Sequence, residues 1–459
     1  MGSFLAFKQL CIDKQTILQV ELRDSLYIFV SMEALYQLFL KSSGISTDTR
    51  KIEPNSLFVC IKGENFDGNT FASKALEQGA SHVIVDNQEF YTDSVRMTLV
   101  EDSVKSLQQL ANHHRNQFTI PVIGITGSNG KTSTKELIHA VLKKKYKVLA
   151  TIGNLNNHLG VPFTLLRMKA EHEIAIIEMG ANRFKDIEEL CAIAEPTHGI
   201  ITNIGKAHLE GFGGFEGVLK TKRELYESIE SSNGTIIYNS DDEILTNALP
   251  ENTTTFNYGV NNAEVKGELV DLSPFVEMKW ANKDYSSPVL KTQMIGKYNF
   301  YNYLAAISFG IVFDVPTGDI SDAVEEYSPT NNRSQVKKTT KNTLILDCYN
   351  ANPTSMRSAL ESFAINSHPA KLFIIGDMKE LGTEERKEHE AIVKLIEELK
   401  LSGYTVGNAF KLNQSDFIPK QFDTTEELNA FLGSENLSEK LILLKGSRSI
   451  GLEKAEEWL

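Results

Sequence analysis

Pro121-Val122-Ile123-Gly124-Ile125-Thr126-Gly127-Ser128-Asn129-Gly130-Lys131-Thr132-Ser133 is the stretch on which the fold of this chain turns. An apolar run enters a glycine-rich turn, and STKELIHAVLKKK (133–145) then carries apolar side chains at helical spacing. Strand, turn and helix in that order make a phosphate cradle. The turn's backbone N–H groups and the positive end of the helix face an anion, the lysine neutralises terminal phosphates, and the hydroxyl after it reaches magnesium. Gly127, Ser128, Asn129, Gly130, Lys131, Thr132 and Ser133 are therefore candidate nucleotide-binding residues. Where the ordinary P-loop has its first glycine this chain has Ile125, and its glycines fall at 124, 127 and 130. A variant loop is expected rather than a plain Walker A ATPase or GTPase.

Outward from the loop, apolar runs at 174–177 and 199–204 read as buried strands ending in polar or glycine residues. Strands alternating with helical segments predict a parallel sheet covered on both faces, with ligands at the carboxyl ends of its strands. Glu178, in EMGAN (178–182), and His208, in HLEGFG (208–213), each follow such a strand. If both strands neighbour the loop strand, a carboxylate and an imidazole project over the phosphates, where magnesium needs ligands. Magnesium prefers oxygen, so Glu178 is chemically the better of the two. Singly, each also reads as an ordinary surface group; the shared placement favours a site.

Before the loop, residues 45–86 read as a small α/β module: a strand at 56–61, a helix at 70–79 and a strand at 82–86. Short β-like runs fill 234–290, and an apolar helix follows at 298–313, at the rim of the central domain. After Pro329 a third α/β series has strands at 343–346, 372–375 and 441–444. The expected fold class is α/β in three domains. A small α/β domain (1–105, with 1–29 unaccounted for) precedes a central P-loop-type, doubly wound, mostly parallel sheet (106–328) and a Rossmann-like domain (329–459).

The 459 residues suit about three domains, and 41% hydrophobic with 23% charged residues is ordinary globular composition. A net charge of −13 speaks against a nucleic-acid surface, so an anionic ligand must be held locally. Cys11, Cys60, Cys191 and Cys348 form no CxxC pair, which suggests neither a zinc knuckle nor a disulfide framework and fits a reducing compartment. No apolar run reaches the roughly 18 to 20 residues of a membrane span, and the first 25 residues lack the apolar core of a signal peptide. The expected location is the cytoplasm.

Other charged groups read less specifically. Lys222, in LKTKREL (219–225), reads as part of a solvated helix face. Asp347 ends the apolar run TLILD (343–347) as a Walker B carboxylate does, but Asp86 and Asp377 also end apolar runs, and Asp347 lies in the third series. Arg333, the Lys445-Gly446-Ser447-Arg448 cluster and Arg50 can supply charge to an anion or form exposed ion pairs. Asn299 and Asn302 have the donor and acceptor pair that reads an adenine edge, and asparagine is equally a helix cap.

Together GITGSNGKTSTKE (124–136), GNLNNHLGVP (153–162), EMGAN, HLEGFG, YNANP (349–353), GDMKELG (376–382) and KGSR (445–448) resemble the Mur ligases, in order over roughly residues 30–459. YNANP and GDMKELG are similar to the branch that adds a dipeptide last, and the DNPR motif of the branch that adds the third amino acid is absent. The resemblance implies an ATP- and Mg2+-dependent ligase. The carboxylate of UDP-MurNAc-tripeptide takes the γ-phosphoryl group of ATP, and the amine of D-Ala-D-Ala displaces phosphate from the acyl phosphate. It implies Thr132 and Glu178 as magnesium ligands, His208 as ligand of a second magnesium, and Lys222 as a lysine carbamylated by CO2. Asn157 resembles a phosphate- and metal-proximal asparagine, Asn299 and Asn302 the adenine side, and Arg333 with Asp347 the third-domain nucleotide contacts. Thr49 and Arg50, with Lys62 and Asp67 in KGENFDG (62–68), look like the uridine-diphosphate end, and Asn350, Lys445 and Arg448 like further substrate-side residues. A monomer acting on small molecules, with no nucleic acid or membrane partner, is expected.

The chain departs from the family pattern in TKREL (221–225) for AKGEL, in Cys348 after the aspartate, and in GKYN (296–299) for GxHN. A sibling ligase with another acceptor is the nearest alternative. A nucleotide-switch ATPase expects a regular Walker A and, for a GTPase, NKxD, which Asn282-Lys283-Asp284-Tyr285 does not supply. A silent binding subunit is separated from an enzyme by whether Lys131, Glu178 and His208 are all needed for turnover.

Overall fold

The computed structural model describes residues 31–459 except 208, 413 and 436, leaving out the side chain of 209, and the backbone alone of 7–12, 15–22 and 25–29. The chain forms two compact units, Met1–Val122 with Leu149–Ile177 and Glu189–Glu195, and Ile123–Val148 with Glu178–Glu188 and Pro196–Leu459.

In the first unit, Phe7–Ile12, Gln15–Leu22 and Ser25–Phe29 pair as an antiparallel meander. Ile45–Ser46, Leu57–Val59, His82–Val85 and Met97–Leu99 make a wholly parallel sheet, bridged by helix Ala72–Glu77. Phe58, Cys60, Ala72, Ala75, Val83, Val85 and Met97 form the core beneath that helix, which is why the apolar runs at 56–61 and 82–86 read as buried strands. Lys62–Gly63 and Phe66–Asp67 pair as a tight hairpin. Helix Ser103–Arg115 starts from an Asp102 cap and runs through residue 105.

In the second unit, residues 123–126 of the loop strand Val122–Thr126 pair in parallel with His198–Ile201, which puts Thr126 opposite Ile201. Thr235–Asn239, Thr254–Gly259 and Val265–Asp271 continue the sheet in parallel, and Glu277–Ala281 and Leu290–Lys291 close it antiparallel. The β-like runs of 234–290 thus extend the loop's own sheet. Helix Lys131–Leu142 packs against helix Lys297–Val312, whose broad apolar surface explains its nearly continuous hydrophobic run. The third series forms the sheet Gln335–Lys338, Thr343–Leu346, Leu441–Lys445, Lys371–Gly376, Gly403–Val406, Lys420–Phe422, parallel except for its first strand. Two apolar clusters cover its faces, one with Phe363, Ile392 and Ile396, the other with Leu428, Leu432 and Leu452. This doubly covered arrangement brings Asp347, Asp377 and Lys445 to one edge, at the carboxyl ends of three adjacent strands. No described helix is long and apolar enough to cross a membrane.

Candidate active site

The loop opens two residues later than an ordinary P-loop because Ile125 is still a buried strand residue. Its two conformational demands fall on Gly127 and Gly130, with φ of +144° and +81°. A Cβ on Gly127 would stand 2.0 Å from Thr202 Oγ1, so no larger residue fits there. The segment after His198–Ile201 ties the loop down. Ser128 N–H donates to Asn203 O at 3.0 Å, Asn129 N–H to Asn203 Oδ1 at 3.0 Å, and Gly205 N–H to Ser128 Oγ at 2.9 Å. Thr202, Asn203 and Gly205 are site residues that sequence reasoning missed; the run expected as a strand over 199–204 took in Thr202 and Asn203, whereas the strand ends at Ile201 and they follow it.

Lys131 Nζ folds back over the loop, 2.6 Å from Gly127 O. Burial lowers its pKa; the Glu178 charge opposes the shift and the Arg333 charge adds to it. Glu178 is fixed beside the loop because Met179 N–H donates to Ile125 O at 2.8 Å and Thr126 Oγ1 donates to Met179 O at 2.8 Å. Thr132 Oγ1 lies 3.0 and 2.9 Å from the two Glu178 carboxylate oxygens, with both residues buried. The expected pair of magnesium ligands therefore stands together. His208 lies outside the described residues. Among the described residues no group of three or more His, Cys, Asp or Glu gathers as a metal cage. One carboxylate and one hydroxyl still suit magnesium, which keeps several waters and takes its other oxygens from substrate phosphates.

Lys222 corrects its solvated reading. On helix Phe215–Ser231 its neighbours Lys220 and Arg223 are exposed, but Lys222 is only 2% exposed, its Nζ 5.6 Å from the Phe212 ring. Burial drives its pKa well below the ordinary lysine value, the charge of Lys131 adds to this, and Asp186 and Glu224 oppose it. The result is a buried amine whose charged form is disfavoured.

Asn299 and Asn302, expected on the adenine side, are tied into a side-chain network. Asn299 Nδ2 donates to Ile295 O at 2.7 Å and Ser334 Oγ at 3.1 Å, and its Oδ1 accepts from Asn302 Nδ2 at 2.8 Å. Asn302 Oδ1 in turn accepts from Thr134 Oγ1 at 3.1 Å, on the loop helix. Both amides are buried, and Asn299 Nδ2 has both its hydrogens committed within the protein. Tyr298, where the family has histidine, joins the same network, 2.7 Å from Ser334 Oγ. The network continues through Ser334 N–H to Asp347 Oδ1 at 3.2 Å and from Lys445 Nζ to Asp347 Oδ2 at 2.6 Å. Lys445 is thus a buried counter-ion rather than a free cation. Asn350 supplies its backbone oxygen to Lys445 at 3.4 Å. Arg333 stacks 3.6 Å over the Tyr349 ring, and Arg448 reaches the Tyr349 hydroxyl at 3.3 Å. Tyr349 is a further residue the reading passed over, although YNANP contains it.

Thr49, Arg50, Lys62, Asp67 and Asn157 belong to the first unit. Arg50 is exposed and paired with Asp48 at 2.8 Å, and this bond holds the Asp48 carboxyl down to about 2. Lys62 and Asp67 face each other across the hairpin, and the Asn69 backbone and side chain lower the Asp67 pKa. Asn157 Oδ1 accepts from Gly160 N–H at 2.9 Å at the start of helix Gly160–Leu165.

Three protein families match the chain in succession: Mur ligase family, catalytic domain, over residues 41–118; Mur ligase middle domain over 125–310; and Mur ligase, glutamate ligase domain, over 332–448. UDP-N-acetylmuramoyl-tripeptide–D-alanyl-D-alanine ligase of Bacillus subtilis (strain 168) is 35% identical over 90% of this chain and 92% of its own. Among solved structures, MurF from Acinetobacter baumannii superposes with a TM-score of 0.84 at 30% identity, covering 93% of this chain and 98% of its own. MurF ligase from Thermotoga maritima, in complex with ADP, superposes with a TM-score of 0.81 at 28% identity, covering 92% and 97%.

Proposed function

This chain belongs to the Mur ligase family, and we propose that it joins D-Ala-D-Ala to UDP-MurNAc-tripeptide at the expense of ATP, completing the peptide of the peptidoglycan precursor. The observation that carries this reading is 35% identity to a ligase of that specificity across nine-tenths of both chains. The sibling reading loses ground to that likeness and to the absence of DNPR.

The residues of this chain divide the work. An oxygen of the tripeptide carboxylate attacks the γ-phosphorus of ATP, the bond to the β,γ-bridging oxygen breaks, and ADP leaves. The amine nitrogen of D-Ala-D-Ala then attacks the acyl carbon, inorganic phosphate leaves, and the amine gives up a proton. Loop N–H groups and Lys131 neutralise the phosphates, and Arg333 adds charge from the third series. Thr132 and Glu178 are the oxygen donors that would hold Mg2+, which supplies Lewis-acid stabilisation of the transferring group. Lys222, buried and with its charged form disfavoured, is suited to add CO2 as the free amine: a nitrogen–carbon bond forms, a proton is lost, and a carboxylate-like anion results. We assign that anion, with His208, to a second magnesium, and Thr49, Arg50, Lys62 and Asp67 to the uridine-diphosphate end. A monomer in the cytoplasm completes the proposal.

Phosphate release from ATP and Mg2+ tests it. Release that requires both UDP-MurNAc-tripeptide and D-Ala-D-Ala, with a new amide seen by mass, is expected. Release without acceptor favours the ATPase switch, and release with D-Glu, lysine or diaminopimelate on shorter precursors favours a sibling ligase.

A further inference from the structure

Asn352 caps helix Pro353–Ile365: its Oδ1 accepts from Ser355 N–H at 2.9 Å, and Ser355 Oγ lies 3.1 Å from Asn352 N–H. A backbone N–H can only donate, so the oxygen of this amide is committed to the cap and its NH2 must face the other way. That NH2 donates to Asn129 Oδ1, in the phosphate loop, at 2.7 Å. The Asn129 amide is thereby oriented in its turn, oxygen toward Asn352. Its Nδ2 is left buried with no hydrogen-bond acceptor among the described residues. The rest of Asn129 is engaged, its N–H with Asn203 Oδ1 at 3.0 Å and its carbonyl with Thr202 Oγ1 at 2.5 Å and Asn203 Nδ2 at 2.9 Å. A buried donor without an acceptor is costly, and one in a loop built for anions is met by a phosphate oxygen.

We infer that Asn352 is a positioning residue for nucleotide binding: docked on the loop, it holds the Asn129 amide so that an N–H rather than a carbonyl oxygen meets the phosphates. This rests on the reading that the loop binds ATP. The docking has its own supports, since Lys206 N–H donates to Thr354 Oγ1 at 3.2 Å and Lys206 Nζ pairs with Glu388 at 2.6 Å. Two segments distant in sequence, YNANP and the loop, are thus joined by one amide whose orientation the helix cap dictates.

ADP titrated calorimetrically into the full chain with Mg2+ tests the inference. Asn352→Ser keeps a capping side chain, brings no charge and removes the amide donor; Asn352→Asp keeps the cap and offers only acceptors. Both are expected to weaken ADP binding, on the order of ten-fold, while the nucleotide-free protein keeps its wild-type circular dichroism and thermal midpoint. In an Asn129→Ala background Asn352→Ser is expected to cost nothing further. Unchanged ADP affinity in Asn352→Ser, equal losses with and without Asn129, or a loss that tracks a lowered thermal midpoint each overturns the inference. If the unmodified chain fails to bind ADP, the nucleotide reading falls and takes this inference with it.

Discussion

At Lys222, burial and the charge of Lys131 disfavour the charged amine, which favours the form that combines with CO2 to become an anion. Replacing Lys222 by alanine is expected to cut turnover by at least roughly ten- to a hundred-fold, with partial recovery when small carboxylic acids are added to the phosphate-release assay. Full activity of that variant contradicts the carbamate. The burial of Lys222 was legible in principle: Val218, Lys222, Leu225 and Ile229 share one helical face, and all are buried. Two exposed basic neighbours hid it by making the segment look uniformly charged. Lys131, Thr132 and Glu178 were readable because each ends a strand or opens a helix. The true partners of Asn299 and Asn302 were not, because Ser334 lies far along the chain and only folding brings it to them.

Individual elements carry their own pH dependence. His82 is buried in strand His82–Val85, with Nε2 2.8 Å from Thr98 Oγ1, and burial pushes its pKa down to about 4. The unfolded chain takes up this proton near the ordinary value of about 6.5, so between those values the unfolded state binds more protons than the folded one. The contribution to stability is complete above about 6.5 and is lost as pH falls toward 4, about 3 kcal/mol in all. His198, half-buried in the strand beside the loop, is lowered to about 4 as well and acts in the same window. Thermal midpoints measured from pH 7 down to 4 are expected to fall steeply, and less steeply for His82→Phe. An identical slope for that variant contradicts the assignment. At this scale apolar runs located the buried parallel strands well, since strands covered on both faces are continuously hydrophobic. They did not show that residues 234–290 extend the central sheet, because strand pairing depends on register between segments.

Across the molecule the order of motifs carried the reading: a phosphate loop in one sheet, a carboxylate beside it, and a third α/β series whose strand ends gather charged groups. That order, and likeness to ligases over nine-tenths of the chain, support the proposal that the loop is where a carboxylate is activated by phosphorylation. The most direct test uses UDP-MurNAc-tripeptide labelled with 18O in its terminal carboxylate, with ATP, Mg2+ and D-Ala-D-Ala. Activation through an acyl phosphate moves one carboxylate oxygen onto phosphorus, so the released phosphate is predicted to carry one 18O atom. Released phosphate without label would contradict the account.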